Sequence, residues 1–302
     1  MSTEILSVED FAVWACGELS QADLYYGHGA QDAEDEAFWL ASYIGQFNYP
    51  DFEDGWQNPL TEKQVCRGRQ ILKTRIETKK PLAYLINQIW FSGYRFYIDE
   101  KALVPRSHLG EWIPDQFEPW IDSNNVHSIL DLCCGGGSIG ISCALSFEGV
   151  SVDLADLSDQ AIEVAQRNID DYQLNDRVHT IHSDLFENIN HRYDLIVCNP
   201  PYVSFANMEK LPPEYTYEPE MALVSGEKGL DSIAIILNQV DQYLSANGFL
   251  VLEAGTAAPA LEDALDQTPL NWMMSASGES VVLIISADEL KACREKIQKM
   301  LC

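Results

Sequence analysis

The first 62 residues contain no lysine or arginine, although they contain 13 aspartate or glutamate residues. The whole chain of 302 residues has 19 Lys or Arg against 47 Asp or Glu, a formal net charge of −28. Such a surface repels phosphate backbones and attracts basic partners. The charge therefore argues against free DNA or RNA as a binding partner and favours a basic protein, although a merely soluble acidic surface would have the same composition.

The sequence also lacks long apolar runs and paired cysteines. No stretch of about 18 apolar residues is present and residues 1–4 carry no basic charge, so we expect a cytoplasmic protein without a membrane span. The eight cysteines form no CxxC pair, which favours reduced thiols over disulfides or a zinc site. His179 and His182 lie three apart in a predicted strand and would point to opposite faces, so we expect no metal there.

The first third of the chain indicates helices. Residues 1–83 are predicted to form a small helical domain that recognises the substrate, with one helix opening at Asp32 and another at Thr61, three residues before Gln64. Residues 84–108 are predicted to link this domain to the next through an aromatic hairpin that turns near Gly93. At 302 residues and 46% hydrophobic content, a large core and two domains are expected.

Residues 109–302 are predicted to form an α/β domain, because from about residue 126 strand-like and helix-like runs alternate. The predicted strands are Ser128–Cys133, Val150–Ala155, Val178–Ile181, Asp194–Cys198, Phe249–Glu253 and Val281–Ile285. The predicted helices are Ser138–Phe147, Ser158–Tyr172, Ser232–Leu244, Ala258–Ala264 and Asp288–Met300. This order predicts a Rossmann-like, doubly wound, mostly parallel sheet, in which ligands bind beyond the carboxyl ends of the strands.

A glycine-rich loop follows the first predicted strand of this domain. Gly135, Gly137 and Gly140 fit the pattern G-x-G-x-x-G, and Asp156 follows Gly135 by 21 residues at the end of the next strand. This is the dinucleotide-binding fingerprint, so an NAD-dependent dehydrogenase has to be considered. The same arrangement suits any ligand with an adenosine ribose and an anionic group, since glycines permit close approach and a helix N-terminus faces the anion.

Two further acids decide between these ligands. Asp131 stands directly before the loop, where it would repel a pyrophosphate but attract an ammonium group. Asp184 follows the third predicted strand and is placed to accept a hydrogen bond from an adenine amino group. Acids after three successive strands favour S-adenosylmethionine (SAM) over NAD. The alternative for Asp131 and Asp184 is that each only caps a helix or a turn.

The tetrapeptide Asn199-Pro200-Pro201-Tyr202, here called the NPPY segment, follows the fourth predicted strand. Its two prolines remove two N–H donors and fix two φ angles, which leaves a rigid segment rich in acceptors. The Asn199 side chain and the Pro200 carbonyl can accept both hydrogens of a planar NH2 group, and Tyr202 can stack on its face. Amides and nucleobases fit equally well, and a purely structural turn is the alternative.

On these motifs the chain resembles, over nearly its whole length, the HemK/PrmC and PrmB family of protein-(glutamine-N5) methyltransferases. Other matching segments are Phe91–Phe96, Val104–Ser107, Leu211–Tyr215, Glu218–Leu223 and Gly229–Asp231. The resemblance implies a class I SAM-dependent methyltransferase that methylates a glutamine side chain. It places SAM binding at Asp131, Cys133, Gly135, Gly137, Asp156, Asp184, Leu185 and Asn199. It places catalysis at Asn199, Pro200, Pro201 and Tyr202.

Several residues indicate one branch of this family. The chain is most similar to the PrmB branch, which methylates ribosomal protein uL3. The similarity lies in residues 105–107 (Pro-Arg-Ser), in Cys133 in place of the first loop glycine and in the acidic N-terminal domain. Cys134 and Gly136 replace the usual Thr and Ser, and both keep the loop small. His108 stands where that branch usually has Pro. The resemblance implies uL3, a basic protein, as the partner, without a membrane and without a need for nucleic acid.

Three other functions stay open at this point. The methyl acceptor could be a glutamine of a peptide chain release factor, or an amine of a nucleobase. The second case calls for a basic, aromatic-lined groove. The only basic cluster, which we expect to be one solvated helix face, is Lys63, Arg67, Arg69, Lys73, Arg75, Lys79 and Lys80. A third possibility is an acidic adaptor for ribosomal proteins with no enzymatic activity.

Overall fold

A computed structural model describes residues 7–47, 55–265, 268 and 270–300. The strands are β1 Ile89–Phe91, β2 Tyr94–Phe96, β3 Ser128–Leu132, β4 Ser151–Asp156, β5 Val178–His182, β6 Tyr193–Cys198, β7 Leu244–Glu253, β8 Asn271–Met274 and β9 Ser280–Ser286. The α-helices are α1 Val8–Leu19, α2 Ala33–Gly45, α3 Glu62–Thr78, α4 Leu82–Ile86, α5 Ser138–Ser146, α6 Asp159–Asp171, α7 Phe205–Met208, α8 Asp231–Gln239, α9 Ala258–Ala264 and α10 Ala287–Lys299. Short 3-10 helices span His108–Glu111, Ser123–Asn125, Pro213–Tyr217, Glu220–Ala222, Val240–Gln242 and Gly255–Ala257.

Strands β3 to β9 form one seven-stranded sheet in the order β5-β4-β3-β6-β7-β9-β8. Strands β5, β4, β3, β6 and β7 pair in parallel, whereas β9 is antiparallel to β7 and to β8. The prediction of a mostly parallel, doubly wound α/β sheet is therefore confirmed. Strand β8 was not predicted, because its four residues lie at the sheet edge and only one of them, Met273, is buried.

The two faces of the sheet are covered by different helices. Ile129, Val152 and Val197 belong to an apolar cluster that includes α5, α6 and the N-terminal helices. Leu130 and Ile196, the neighbours of Ile129 and Val197 in their strands, belong to a second cluster with α8, α9 and α10. Because both faces are covered, the central strands are almost continuously apolar, which explains why the sequence indicated them clearly.

The N-terminal part is helical, as predicted. The Asp32 side chain accepts from the backbone N–H of Asp35 at the start of α2, and Thr61 with Gln64 forms a capping box at the start of α3. Strands β1 and β2 form the expected hairpin around Gly93. Helix α4 spans the predicted boundary at residue 83 and one apolar cluster runs across it, so the boundaries 1–83, 84–108 and 109–302 stay a proposal.

The expectation of one solvated basic face on α3 is wrong for Arg75. This residue is 1% exposed and contacts two carboxylates, Glu36 on α2 and Glu214. Its side of α3 packs onto α2, so the guanidinium is buried there with its counter-charges. Arg67, another cation of the segment, stacks on Tyr43.

Two further absences concern only the residues that the structure describes. Among them, no helix is both long enough and apolar enough to cross a bilayer. In the same residues, no group of three His, Cys, Asp or Glu side chains is arranged to hold a metal ion.

Candidate active site

A cavity of about 270 Å³ lies at the carboxyl ends of β3, β4 and β6. Many predicted site residues line it, namely Cys133, Gly135, Asp156, Asp184, Leu185, Asn199 and Pro201. The other four predicted residues, Asp131, Gly137, Pro200 and Tyr202, are not among its lining residues. The structure thus brings the glycine loop, three successive strand ends and the start of the NPPY segment to one cavity, which is where a doubly wound sheet binds its ligand.

The glycine loop turns sharply between β3 and α5. Gly135 and Gly137 have φ angles of 53° and 78°, in the left-handed region that glycine adopts at little cost. At Gly137 a Cβ atom would also stand 2.9 Å from a methyl of Leu154, so the close packing of loop on β4 requires glycine. The loop leads into α5, whose first two residues, Ser138 and Ile139, line the cavity. The helix N-terminus therefore faces the space where an anionic group would bind.

Asp131 is fully buried at the end of β3. Its Oδ2 atom accepts a hydrogen bond of 2.7 Å from the backbone N–H of Gly140. Its Oδ1 atom is buried and has no hydrogen-bond partner among the described residues. Burial raises the pKa of Asp131 to about 8, although the Gly140 hydrogen bond opposes the rise. A buried carboxyl with a vacant acceptor suits a cationic hydrogen-bond donor.

Asp156 ends the next strand and lines the cavity. Its Oδ2 atom accepts from the backbone N–H of Gly135 and its Oδ1 atom from that of Ser158, both at 2.8 Å. Burial raises its pKa, and these backbone hydrogen bonds oppose the rise. Because a carboxylate has about four acceptor positions, the side chain keeps capacity for ligand hydroxyl groups.

Asn199 directly follows β6, and its Oδ1 atom is buried with no hydrogen-bond partner among the described residues. A buried amide oxygen left without a donor costs free energy, so it marks a place that a ligand donor can fill. Pro201 lines the same cavity, and the two prolines keep the chain extended beyond Asn199. Asn199 is therefore placed to accept a hydrogen bond from a group bound beside the cofactor position.

Tyr202 has a different environment. Its hydroxyl donates a hydrogen bond of 2.9 Å to Glu253, and it lines a second cavity together with Glu253 and His108. Burial raises the Tyr202 pKa well above its usual value, and the charge of Glu253 adds to this effect, so the phenol stays neutral. Its ring lies so close to Gly255 that a Cβ there would approach it to 2.3 Å. Stacking of Tyr202 on a substrate amide stays a prediction.

The opposite wall of the first cavity comes from segments outside the predicted site. Its residues include Pro105, Arg106, Ser107, Pro219, Met221, Ala222 and Val224. Arg106 joins the two parts of this wall through hydrogen bonds of 2.6 and 2.7 Å to the two oxygens of Glu218. Burial alone would raise the Glu218 pKa, but the His28 ring, 3.4 Å away, and the charge of Arg106 lower it to about 2. Glu218 does not itself line the cavity, but it stays ionised and anchors Arg106, which does.

Sequence reasoning missed Glu218 and Glu253 as site residues, although both lie within segments that it singled out. Glu253 is an acid at the end of a predicted strand, close to the positions that Asp131 and Asp156 hold in theirs, and that signal could have found it. Glu218 carries no such signal, because its importance depends on a contact with Arg106, more than one hundred positions away.

Comparison with known proteins adds the following. Residues 119–211 match the model of the family described as "Methyltransferase small domain". The ribosomal protein uL3 glutamine methyltransferase of Francisella tularensis is 38% identical over 97% of this chain and 94% of its own length. Proteins of the same name from Neisseria meningitidis serogroup B and Burkholderia pseudomallei are 35% and 36% identical, over 95% and 96% of this chain and 95% and 97% of their own lengths.

Solved structures with some similarity include the catalytic domain of hMettl16 in complex with the MAT2A 3′UTR hairpin 6. It is 16% identical, with a TM-score of 0.49, and the match covers 82% of this chain and 90% of that one. A methyltransferase from Pyrococcus furiosus is 15% identical, with a TM-score of 0.46 over 74% of this chain and 98% of its own.

The doubly wound sheet, with the ends of β3, β4 and β6 at one cavity and a matching methyltransferase domain, defines a class I SAM-dependent methyltransferase. The relatives that match over nearly the whole of both chains identify the family within this class. The chain belongs to the family of ribosomal protein uL3 glutamine methyltransferases.

Proposed function

We propose that the protein transfers the methyl group of SAM to the side-chain amide nitrogen of a glutamine in ribosomal protein uL3. The observation that carries this proposal is the buried, unpartnered Oδ1 atom of Asn199 at the cavity that contains the predicted cofactor residues. The name of the relatives supports uL3 as the substrate. The net charge of −28 supports a basic protein partner and a reaction that needs no nucleic acid.

The residues that line the cavity, together with the buried Asp131, fit SAM in chemistry and charge. The vacant Oδ1 atom of Asp131 suits the ammonium group, and the start of α5 suits the carboxylate of the methionine part. Asp156 has acceptor capacity for the ribose hydroxyls, and Asp184 with Leu185 lines the side where the adenine would bind. When bound, SAM supplies an already electrophilic methyl group, so the protein mainly has to place the acceptor.

The acceptor is a poor nucleophile, because the lone pair of an amide nitrogen is delocalised into its carbonyl. Asn199 Oδ1 and the Pro200 carbonyl would accept the two N–H hydrogens and hold the nitrogen about 3–3.5 Å from the methyl carbon, in line for transfer. The same acceptors favour the positive charge that develops on nitrogen. The proton leaves after transfer, so no general base is needed before it.

Replacing Asn199 tests this proposal. Asn199→Ala should leave SAM affinity, measured by calorimetry, within about threefold, but lower methyl transfer to uL3 about a hundredfold or more. The physical reason is that the variant loses the acceptor that orients the substrate amide. Mass spectrometry of uL3 should show the mass of one added methyl group, on a glutamine-containing peptide, only with the active protein.

The matched control is Asn207→Ala, the same change on the exposed side of α7. It should transfer methyl groups at the normal rate. Normal transfer by Asn199→Ala would contradict the role of this residue.

Methylation of release factors or of nucleobases, but not of uL3, would contradict uL3 as the substrate. Failure of the protein to bind SAM would support the adaptor. We also expect the protein to act in the cytoplasm.

A further inference from the structure

Glu253 is a buried acid at the acceptor end of the sheet. It is the last residue of β7, and it is 3% exposed. Since Leu252 pairs with Cys198 in the parallel register of β7 and β6, Glu253 emerges next to Asn199. An acid at such a depth requires hydrogen-bond donors from the protein.

Three donors converge on this carboxylate from two distant segments of the chain. Its Oε1 atom accepts from the hydroxyl of Tyr202 at 2.9 Å. Its Oε2 atom accepts from the hydroxyl of Ser107 at 2.6 Å and from the backbone N–H of His108 at 2.9 Å. Glu253 therefore joins the NPPY segment to the segment that follows Arg106.

Both segments contribute to the first cavity. Ser107, Asn199 and Pro201 all line it. Tyr202 is the residue after Pro201, and its ring is pressed against Gly255, two residues after Glu253. The hydrogen bond from the Tyr202 hydroxyl to Glu253 and the contact of the ring with Gly255 thus hold Tyr202, the last residue of the NPPY segment, in place.

We propose that Glu253 is a positioning residue, which holds Tyr202 and thereby keeps Asn199 and Pro201 at the distance from Ser107 that the substrate amide requires. The inference rests on the proposed function, because it concerns the placement of that amide. Glu253 does not line the first cavity, and both of its oxygens accept from protein donors, so it acts through Tyr202 and not on the substrate itself.

Glu253→Gln is the direct test. The glutamine has nearly the same shape, but it carries no charge and its NH2 group must face one of the donors, so the charge-assisted hydrogen bonds are weakened and at least one is lost or reversed in direction. We expect kcat for uL3 to fall about tenfold to a hundredfold, because small displacements of an acceptor are costly. SAM affinity should stay within about twofold, since, among the described residues, Asp131, Asp156 and the glycine loop make no hydrogen bond to Glu253. The matched control, Glu262→Gln, changes an exposed acid at the second cavity and should keep the normal kcat.

A double-mutant cycle separates positioning from a merely structural role. If Glu253 acts through Tyr202, then Glu253→Gln in a Tyr202→Phe background should lower kcat by much less than it does in the wild type. Fully multiplicative losses would overturn the inference, and so would a folded Glu253→Gln protein with normal kcat. Inactivity of the wild-type protein on uL3 would instead contradict the proposed function. In that case a crystal structure of Glu253→Gln still tests the inference, because an unmoved Tyr202 ring would overturn it.

Discussion

At the scale of single residues, Asp131 combines complete burial with an unused acceptor atom. Its pKa of about 8 in the folded protein lies well above the value of about 4 for an unfolded chain. Between these two values the folded state binds the additional proton, so this group contributes stability at low pH that is lost as the pH rises through about 8. The protein without SAM therefore holds Asp131 largely protonated at neutral pH.

This protonation state predicts a pH-dependent affinity for SAM. The carboxylate form is the one that attracts the ammonium group, so SAM binding at pH 7 should release a proton, and affinity should rise from about pH 6 to about pH 8. Calorimetry in two buffers with different ionisation enthalpies measures the release. Asp131→Asn should abolish it and weaken binding about tenfold or more. Equal heats in both buffers with the wild-type protein would contradict this prediction.

The residues that sequence reasoning located share one property. Asp131, Asp156 and Asn199 each stand at or directly after the end of an apolar strand, so the pattern of the chain indicated both their depth and their common edge. Tyr202 was located in sequence, but its partner was not, because the hydrogen bond to Glu253 depends on the pairing of β6 with β7. The direction of a side chain at a strand end requires the tertiary structure.

At the scale of elements, the segment 213–222 holds one wall of the cavity by buried charges. Glu214 binds Arg75, and Glu218 binds Arg106. Between these contacts the chain forms only short 3-10 helices, which have little stability of their own. Sequence patterning could not predict the geometry of this segment, since its shape depends on ion pairs with distant residues and not on periodicity.

Glu218→Gln should destabilise the protein at neutral pH. The folded-state pKa of Glu218 is about 2, below the usual 4.5, so its contribution is present above about pH 4.5 and is lost as the pH falls through 2. The shift corresponds to about 3 kcal/mol at pH 7. Urea denaturation should show this loss for Glu218→Gln, and almost none for the control Glu220→Gln, an exposed acid on the same segment. Equal stability of the two variants would contradict the prediction.

At the scale of the whole molecule, Arg75 connects the N-terminal helices α2 and α3 to the segment around Glu214. Its guanidinium donates to Glu36 on α2 at 2.8 Å and to Glu214 at 3.3 Å, next to the cavity wall. Glu214 also accepts from the backbone N–H of Tyr25, and Arg75 donates to the carbonyl of that residue. A buried cation between two acids thus ties three parts of the chain together.

Removing this cation should be costly. Arg75→Ala leaves two buried carboxylates without their counter-charge, so we expect the free energy of unfolding to fall by about 3–5 kcal/mol. Arg69→Ala on the exposed side of α3 is the control and should change it by less than about 1 kcal/mol. Chemical denaturation measures both. A loss for Arg75→Ala as small as that of the control would contradict the role of the buried cluster.

The large-scale organisation was predictable in part. Composition and periodicity predicted the acidic character of residues 1–62, the N-terminal helices and the α/β sheet. The buried Arg75 did not, because a cation on an otherwise polar helix gives no sign of an acid brought to it from residue 214. The domain boundaries stay a prediction for a related reason, since one apolar cluster joins α1 to the sheet.

The carboxylate of Glu253 has a consequence for how this sequence can change over evolutionary time. One side chain serves donors at positions 107, 108 and 202, so a substitution at 253 alters the surroundings of all three. The donor at position 108 is a backbone N–H, which a proline lacks, so His108 gives Glu253 a hydrogen bond that the branch's usual residue could not donate. Position 108 can thus change to any residue except proline without loss of this donor, whereas 107, 202 and 253 are expected to be inherited as a set.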